Sequence, residues 1–176
     1  MFVTIALAVL VVVVAVILML AARKPDVFSM QRSTSIRATP GEIFPFINDF
    51  HQWQAWSPFE KLDPNMKKTF SGATSGKGAV YEWVGNGKAG AGRMEIIEAS
   101  VPEKVTIKLD FIKPFEGHNT CVFTMAEKGN ATETTWAMHG PVPFMAKVMH
   151  VFVNMDKMLG KDFEEGLAKL KAVAEK

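Results

Sequence analysis

Residues 2–22 (FVTIALAVLVVVVAVILMLAA) form an apolar run interrupted only by Thr4. At 1.5 Å per residue, a helix of that length reaches about 31 Å, the thickness of a bilayer's hydrocarbon core. The run predicts an uncleaved membrane anchor over residues 1–24. A secretory signal would want a basic leader, a shorter apolar stretch of about 7–15 residues and small residues at a cleavage site. Here Met1 alone precedes the run, and Leu20-Ala21-Ala22 is a marginal cleavage sequence.

Beyond Lys24-Pro25-Asp26 the pattern changes. Residues 28–37 alternate loosely and read as a strand. Thr39-Pro40-Gly41-Glu42 carries a helix start, with Thr39 as N-cap, Pro40 at the first position and Glu42 three residues on. The helix is expected over 40–49, with Ile43, Phe44 and Ile47 on one face. A short helical piece at 51–56 carries Trp53 and Trp56 and stops at Ser57-Pro58. Strands are expected at 66–72, 78–85, 91–100, 104–113, 117–127 and 131–139, separated by turns rich in Gly, Asn and Pro. Their short connections make neighbours antiparallel, since parallel strands need crossovers of about a dozen residues. Strand 104–113 alternates cleanly, with Val105, Ile107, Leu109 and Phe111 inward. Pairing 117–127 with 131–139 places Cys121 and Phe123 near Trp136 and Thr134; a slip of one residue would exchange the faces.

Val148, Phe152, Met155, Leu159, Phe163, Leu167 and Leu170 recur at three- and four-residue spacing. That spacing predicts one long helix of about six turns. Gly160 and Gly166 cost roughly 1 kcal/mol each inside a helix, so they are expected where the helix approaches the sheet closely. The element order favours a curved antiparallel sheet wrapped around the C-terminal helix. A concave sheet is too wide for one helix to fill, so a cavity is expected between them.

Composition sharpens this division. All 20 basic and 18 acidic residues lie beyond the apolar run, leaving an ordinary soluble-domain composition there. A single cysteine, Cys121, cannot form an intramolecular disulfide, so the domain does not need an oxidising compartment. Net charge is +2 with no extended basic run, which provides no electrostatic footprint for nucleic acid. Arg23, Lys24, Arg32 and Arg37 follow the anchor and no basic side chain precedes it. By the positive-inside rule a single-pass protein of the cell (inner) membrane with a cytoplasmic domain is expected; a periplasmic or extracellular domain is the alternative.

Four stretches carry a family resemblance: Thr39–Phe44, Trp53–Phe59, Gly78–Trp83 and Phe163–Lys171. Through them residues 26–175 resemble the START-related SRPBCC superfamily of polyketide cyclase/dehydrase and lipid-transport proteins. The stretches KPFEGHNT (113–120) and WAMHGPVPF (136–144) are similar to a membrane-anchored bacterial subgroup. The resemblance implies an α+β helix-grip fold: a curved antiparallel sheet of about seven strands around a long C-terminal helix. It also implies an apolar ligand cavity, with residues 25–176 forming the START-like domain. It implies an activity only weakly, because one fold hosts many functions.

The residue chemistry is sparse. His51, His118, His139 and His150 show no metal-ligand spacing, and no HExxH or CxxC pattern occurs, so neither a metal nor a cofactor is expected. His118 and His139 are expected at one end of the sheet, where they are candidates for acid/base work or simply strand-end histidines. Glu82 and Arg93 are expected either to pair toward the cavity and orient a polar ligand head, or to form a cross-strand ion pair facing solvent. The expected ligand wall is Trp56, Trp83, Phe111, Phe123, Trp136, Met138, Phe144 and Met155; the rival expectation for the same set is a filled core. Pro141-Val142-Pro143-Phe144-Met145 is a candidate lid whose apolar tip could also touch the membrane. These features favour a membrane-anchored binding module for a lipid or other hydrophobic small molecule. A cyclase- or dehydratase-like enzyme using His118, His139 or Glu82, and a partner-recruiting domain without ligand, remain the alternatives.

Overall fold

The structure is a computed structural model and describes residues 2–176. Helix α1 (Phe2–Ala22) leads into strand β1 (Val27–Ile36). Helix α2 (Pro40–Asn48) follows, opened by the predicted capping box: the Glu42 N–H donates to Thr39 Oγ1, and the Thr39 N–H donates to Glu42 at 2.7 Å. That backbone donor, joined by the Thr39 hydroxyl, holds the Glu42 carboxyl below its ordinary range.

Two 3-10 turns, Phe50–Ala55 and Pro58–Lys61, complete the crossover. The first is the piece expected at 51–56. Its three-residue turn carries Trp53 and Trp56 to one side, and both are buried.

Six strands follow in succession: β2 (Lys67–Gly72), β3 (Ala79–Val84), β4 (Ala91–Ser100), β5 (Lys104–Lys113), β6 (Gly117–Lys128) and β7 (Ala131–Pro141). Every pairing is antiparallel, and the sheet order is β1-β7-β6-β5-β4-β3-β2. The expected face holds and Phe123 stands opposite Trp136, but Cys121 faces Met138 and Thr134 faces Met125, two residues along from where they were expected. Val105, Ile107 and Leu109 are buried on the inner face beside Ile96, Phe123 and Trp136.

The C-terminal segment departs from expectation. Instead of one helix, the chain forms α3 (Phe144–Phe152) and α4 (Met155–Ala174). Val153 is extended, and Asn154 caps α4 by accepting from the Lys157 N–H at 3.0 Å. Apolar spacing continues through Val148, Phe152 and Met155, but cap chemistry at Asn154 starts a new helix. Only α4 lies across the sheet, burying Phe163, Leu167 and Leu170. Its glycines mark the close approach. A Cβ at Gly166 would lie 2.9 Å from the Trp136 ring, and one at Gly160 would lie 2.1 Å from the Arg32 guanidinium. Arg32 on β1 clamps the helix there, bonding Asp156 at 3.1 Å and Glu164 at 2.8 Å.

Candidate functional site

The inner face at the middle of the sheet is filled with rings. Trp136 stacks on Phe163 with centroids 3.9 Å apart and planes 10° apart, and on Phe123 at 5.0 Å. Trp56 meets both Phe123 and Trp136 edge-on. Its indole N–H donates to the Phe46 carbonyl at 2.8 Å. Met138 is buried beside this group, and burial pushes the Cys121 thiol up to about 12. A second aromatic run lies toward the far edge. Trp83 packs edge-on to Phe111 and covers Gly92 so closely that a Cβ there would lie 2.3 Å from its ring. Tyr81 beside it donates to Glu60 at 2.8 Å, and burial followed by that bond holds its phenol well above its ordinary range.

The polar candidates fall on the opposite, outer face. Glu82, Arg93, Asp110 and His118 follow one another across β3, β4, β5 and β6. Arg93 turns to Glu95 at 2.8 Å rather than to Glu82, which is exposed. The His118 ring bonds Asp110 at 2.7 Å, which raises its affinity for a proton. Burial alone would push the Asp110 carboxyl up, but the bonds from His118 and Lys108 hold it below its ordinary range. His139 stands exposed on the same face, opposite Thr120. The sheet therefore separates the four candidates Glu82, Arg93, His118 and His139 from the aromatic interior. No group of three or more His, Cys, Asp or Glu able to hold a metal occurs among the described residues.

A shallow, wide-mouthed cavity of about 480 Å³ lies where α1 joins the domain, between the start of β1 and the α3–α4 junction. Phe28, Val142, Phe152, Val153 and Met155 supply its apolar wall. Lys24, His150 and Asp156 bring polar groups to it. Burial, then the neighbouring Lys24 charge, depresses the proton affinity of His150. Of the eight aromatic and methionine residues expected to line a cavity, only Met155 is on this wall. Trp56, Phe123, Trp136 and Met138 are packed core, Trp83 and Phe111 lie toward the far edge, and Phe144 is half exposed on α3. Phe152, Val153 and Met155 reach this wall where the helix is interrupted at Asn154. The sequence signal of the interruption is an Asn followed by Met-Asp-Lys, a helix start inside an unbroken apolar spacing.

An antiparallel sheet gripping a C-terminal helix defines the class of fold. The family described as "Polyketide cyclase / dehydrase and lipid transport" matches residues 27–175, and the chain belongs to it. Its fold is similar to that of CV1439 from Chromobacterium violaceum, with TM-score 0.59 at 13% identity over 87% of this chain and 99% of that one. It is also similar to the di-domain ARO/CYC BexL from the BE-7585A biosynthetic pathway, with TM-score 0.61 at 12% identity over 90% of this chain and 53% of that one. DynU16 from the dynemicin biosynthetic locus matches at TM-score 0.60 and 14% identity, over 86% of this chain and 48% of that one. This chain thus spans about half the length of the latter two. No curated protein matches.

Proposed function

We propose that the protein is a membrane-tethered binding module for a lipid or other hydrophobic small molecule, with residues 1–24 as the anchor and 25–176 as the binding domain. The observation that carries this is the position of the cavity of about 480 Å³, whose wall includes Lys24 and Pro25 at the end of α1. Its size falls within the range of about 300–1,000 Å³ typical of small-molecule sites. The wall suits an amphiphile: an apolar body against Phe28, Val142 and Met155, and a polar or anionic head near Lys24 and His150. The family's description, which includes lipid transport, supports the ligand class. An apolar α1 of 21 residues supports the tether, and Arg23 and Lys24 just beyond it favour a cytoplasmic domain.

The test is native mass spectrometry of the full chain released from membranes, followed by organic extraction. A reproducible bound mass is expected, and Val153→Trp, which fills the cavity from its rim, should abolish it. A chain that is clean before extraction in both forms would refute ligand binding and favour a partner-recruiting domain.

A further inference from the structure

Helix α3 is inside out. The side chain it buries is a charged one, Lys147, whose ammonium donates to Asp26 at 2.5 Å. Its largest apolar side chains face outward while Val148 and Val151 are half-buried: Met145, Met149 and Phe152 follow at i, i+4 and i+7, with Met145 74% and Phe152 69% exposed. A soluble surface helix shows the reverse arrangement. The ion pair with Asp26 satisfies the lysine on the side turned in.

The neighbour of α3 indicates what covers this face. Helix α3 packs against α1. Only Ile17 and Ala21, one turn apart, lose exposure on α1. Ile17 lies five residues inside the C-terminal end of α1, about 7.5 Å along its axis. Interfacial helices sit about 5–10 Å into the boundary between headgroups and acyl chains. A second exposed apolar feature hangs from the same end of the sheet. Strand β1 begins at Val27 opposite Pro141, and the β5–β6 turn lies beside the Gly117–Phe111 pair at that end. Phe115 at the turn's tip is 67% exposed and Ile112 57%, with Lys113, the last residue of β5, between them. Arg23, Lys24 and Lys113 give this end basic groups suited to anionic headgroups.

We infer that the outer face of α3 and the Phe115 tip are embedded in the interfacial layer of the bilayer that α1 crosses, which seats the cavity mouth at headgroup level. This rests on the anchor reading above. The cavity then exchanges ligand with the membrane without passing it through water, and Met145, Met149, Phe152 and Phe115 are its lipid contacts.

The test uses the full chain in vesicles of phosphatidylcholine and phosphatidylserine. Met145→Cys, Met149→Cys and Phe115→Cys are each labelled with an environment-sensitive nitrobenzoxadiazole dye; Cys121 is buried and does not compete. Val12→Cys reports on α1, and Asn130→Cys on the opposite end of the sheet. The three interfacial labels should show blue-shifted emission, quenching by a nitroxide high on the acyl chain and none by aqueous iodide, while Asn130→Cys shows the opposite. Iodide quenching at the three positions would overturn the inference. So would shielding from both quenchers, which would mean that a second copy or another protein covers this face. Val12→Cys keeps the two claims apart: quenching there by a deep nitroxide with none at α3 sinks only this inference, whereas iodide quenching at Val12→Cys sinks the anchor beneath it.

Discussion

Phe163→Ala separates a packed core from a ligand wall. Phe163 is 1% exposed, and its ring lies face to face with Trp136 at 3.9 Å. Large-to-small truncation of a buried phenylalanine costs about 3–5 kcal/mol, because transfer free energy is lost and the void collapses only in part. The stacked pair accounts for about 0.5–1.5 kcal/mol of that. For a domain of about 150 residues, each kcal/mol lowers the melting midpoint by about 2–4 °C, so a drop of about 6–20 °C is expected. Thermal unfolding followed by tryptophan fluorescence reads the drop, and urea unfolding by the same signal reads the free energy, since Trp53, Trp56 and Trp136 all lie in the affected cluster. The slope with denaturant should stay unchanged while the midpoint falls. Ligand loading, measured in parallel under native conditions, should also be unchanged, because Phe163 is not on the wall of the cavity at the α3–α4 junction. A variant that keeps its stability and loses its bound mass would refute the reasoning and make the Trp136 cluster the ligand wall.

Four further outcomes are expected. The His118–Asp110 pair raises the histidine's folded pKa, so its contribution is full below the unfolded value of about 6.5 and is lost as pH rises through the folded one. Asp110 is depressed, so its own contribution is present above about 3.9 and lost as pH falls through its folded value; unfolding midpoints against pH should flatten in both windows in Asp110→Asn. Cys121, buried and with its thiol pushed up to about 12, should resist thiol reagents in the native protein and react at once in denaturant, as a chromogenic disulfide assay would show. Thr39→Ala removes the capping box of α2 and should cost about 0.5–2 kcal/mol in urea unfolding. Gly92→Ala would place a Cβ 2.3 Å from the Trp83 ring and 2.6 Å from the Asp110 carbonyl, and the displaced ring should cost about 1–3 kcal/mol in the same assay.

Most of the sheet was legible in the sequence because β5 alternates with a period of two and turns rich in Gly, Asn and Pro leave connections too short for a crossover. Helix α2 was legible because Thr39 and Glu42 mark its start chemically rather than by pattern. Register, too, followed from alternation: the side chains of Val105, Ile107 and Leu109 are either all inside or all outside, and only one choice covers them. The wall of the candidate site was not legible. Spacing identifies Trp56, Phe123 and Trp136 as apolar and clustered, but not whether they meet one another or a ligand. That depends on whether the far side of the cluster is closed, and here Phe163 on α4 closes it.

The same limit explains the C-terminal segment, and it bears on function. Apolar spacing records that a helix face avoids water without recording what it meets, so Val148, Phe152 and Leu159 read alike although α3 and α4 turn to different surroundings. Helix α4 faces the sheet and buries Phe163, Leu167 and Leu170. Helix α3 faces away from it, leaves Phe152 exposed and buries Lys147. A lysine is placed against protein at the expense of its hydration only with a partner, which Asp26 provides at 2.5 Å. Asp26 itself lies four residues beyond the end of α1. The ion pair therefore ties the orientation of α3 to the exit of the apolar helix, and the cavity opens between the two segments it joins. Breaking the helix at Asn154 thus makes room for the cavity and frees α3 to turn toward whatever surrounds α1.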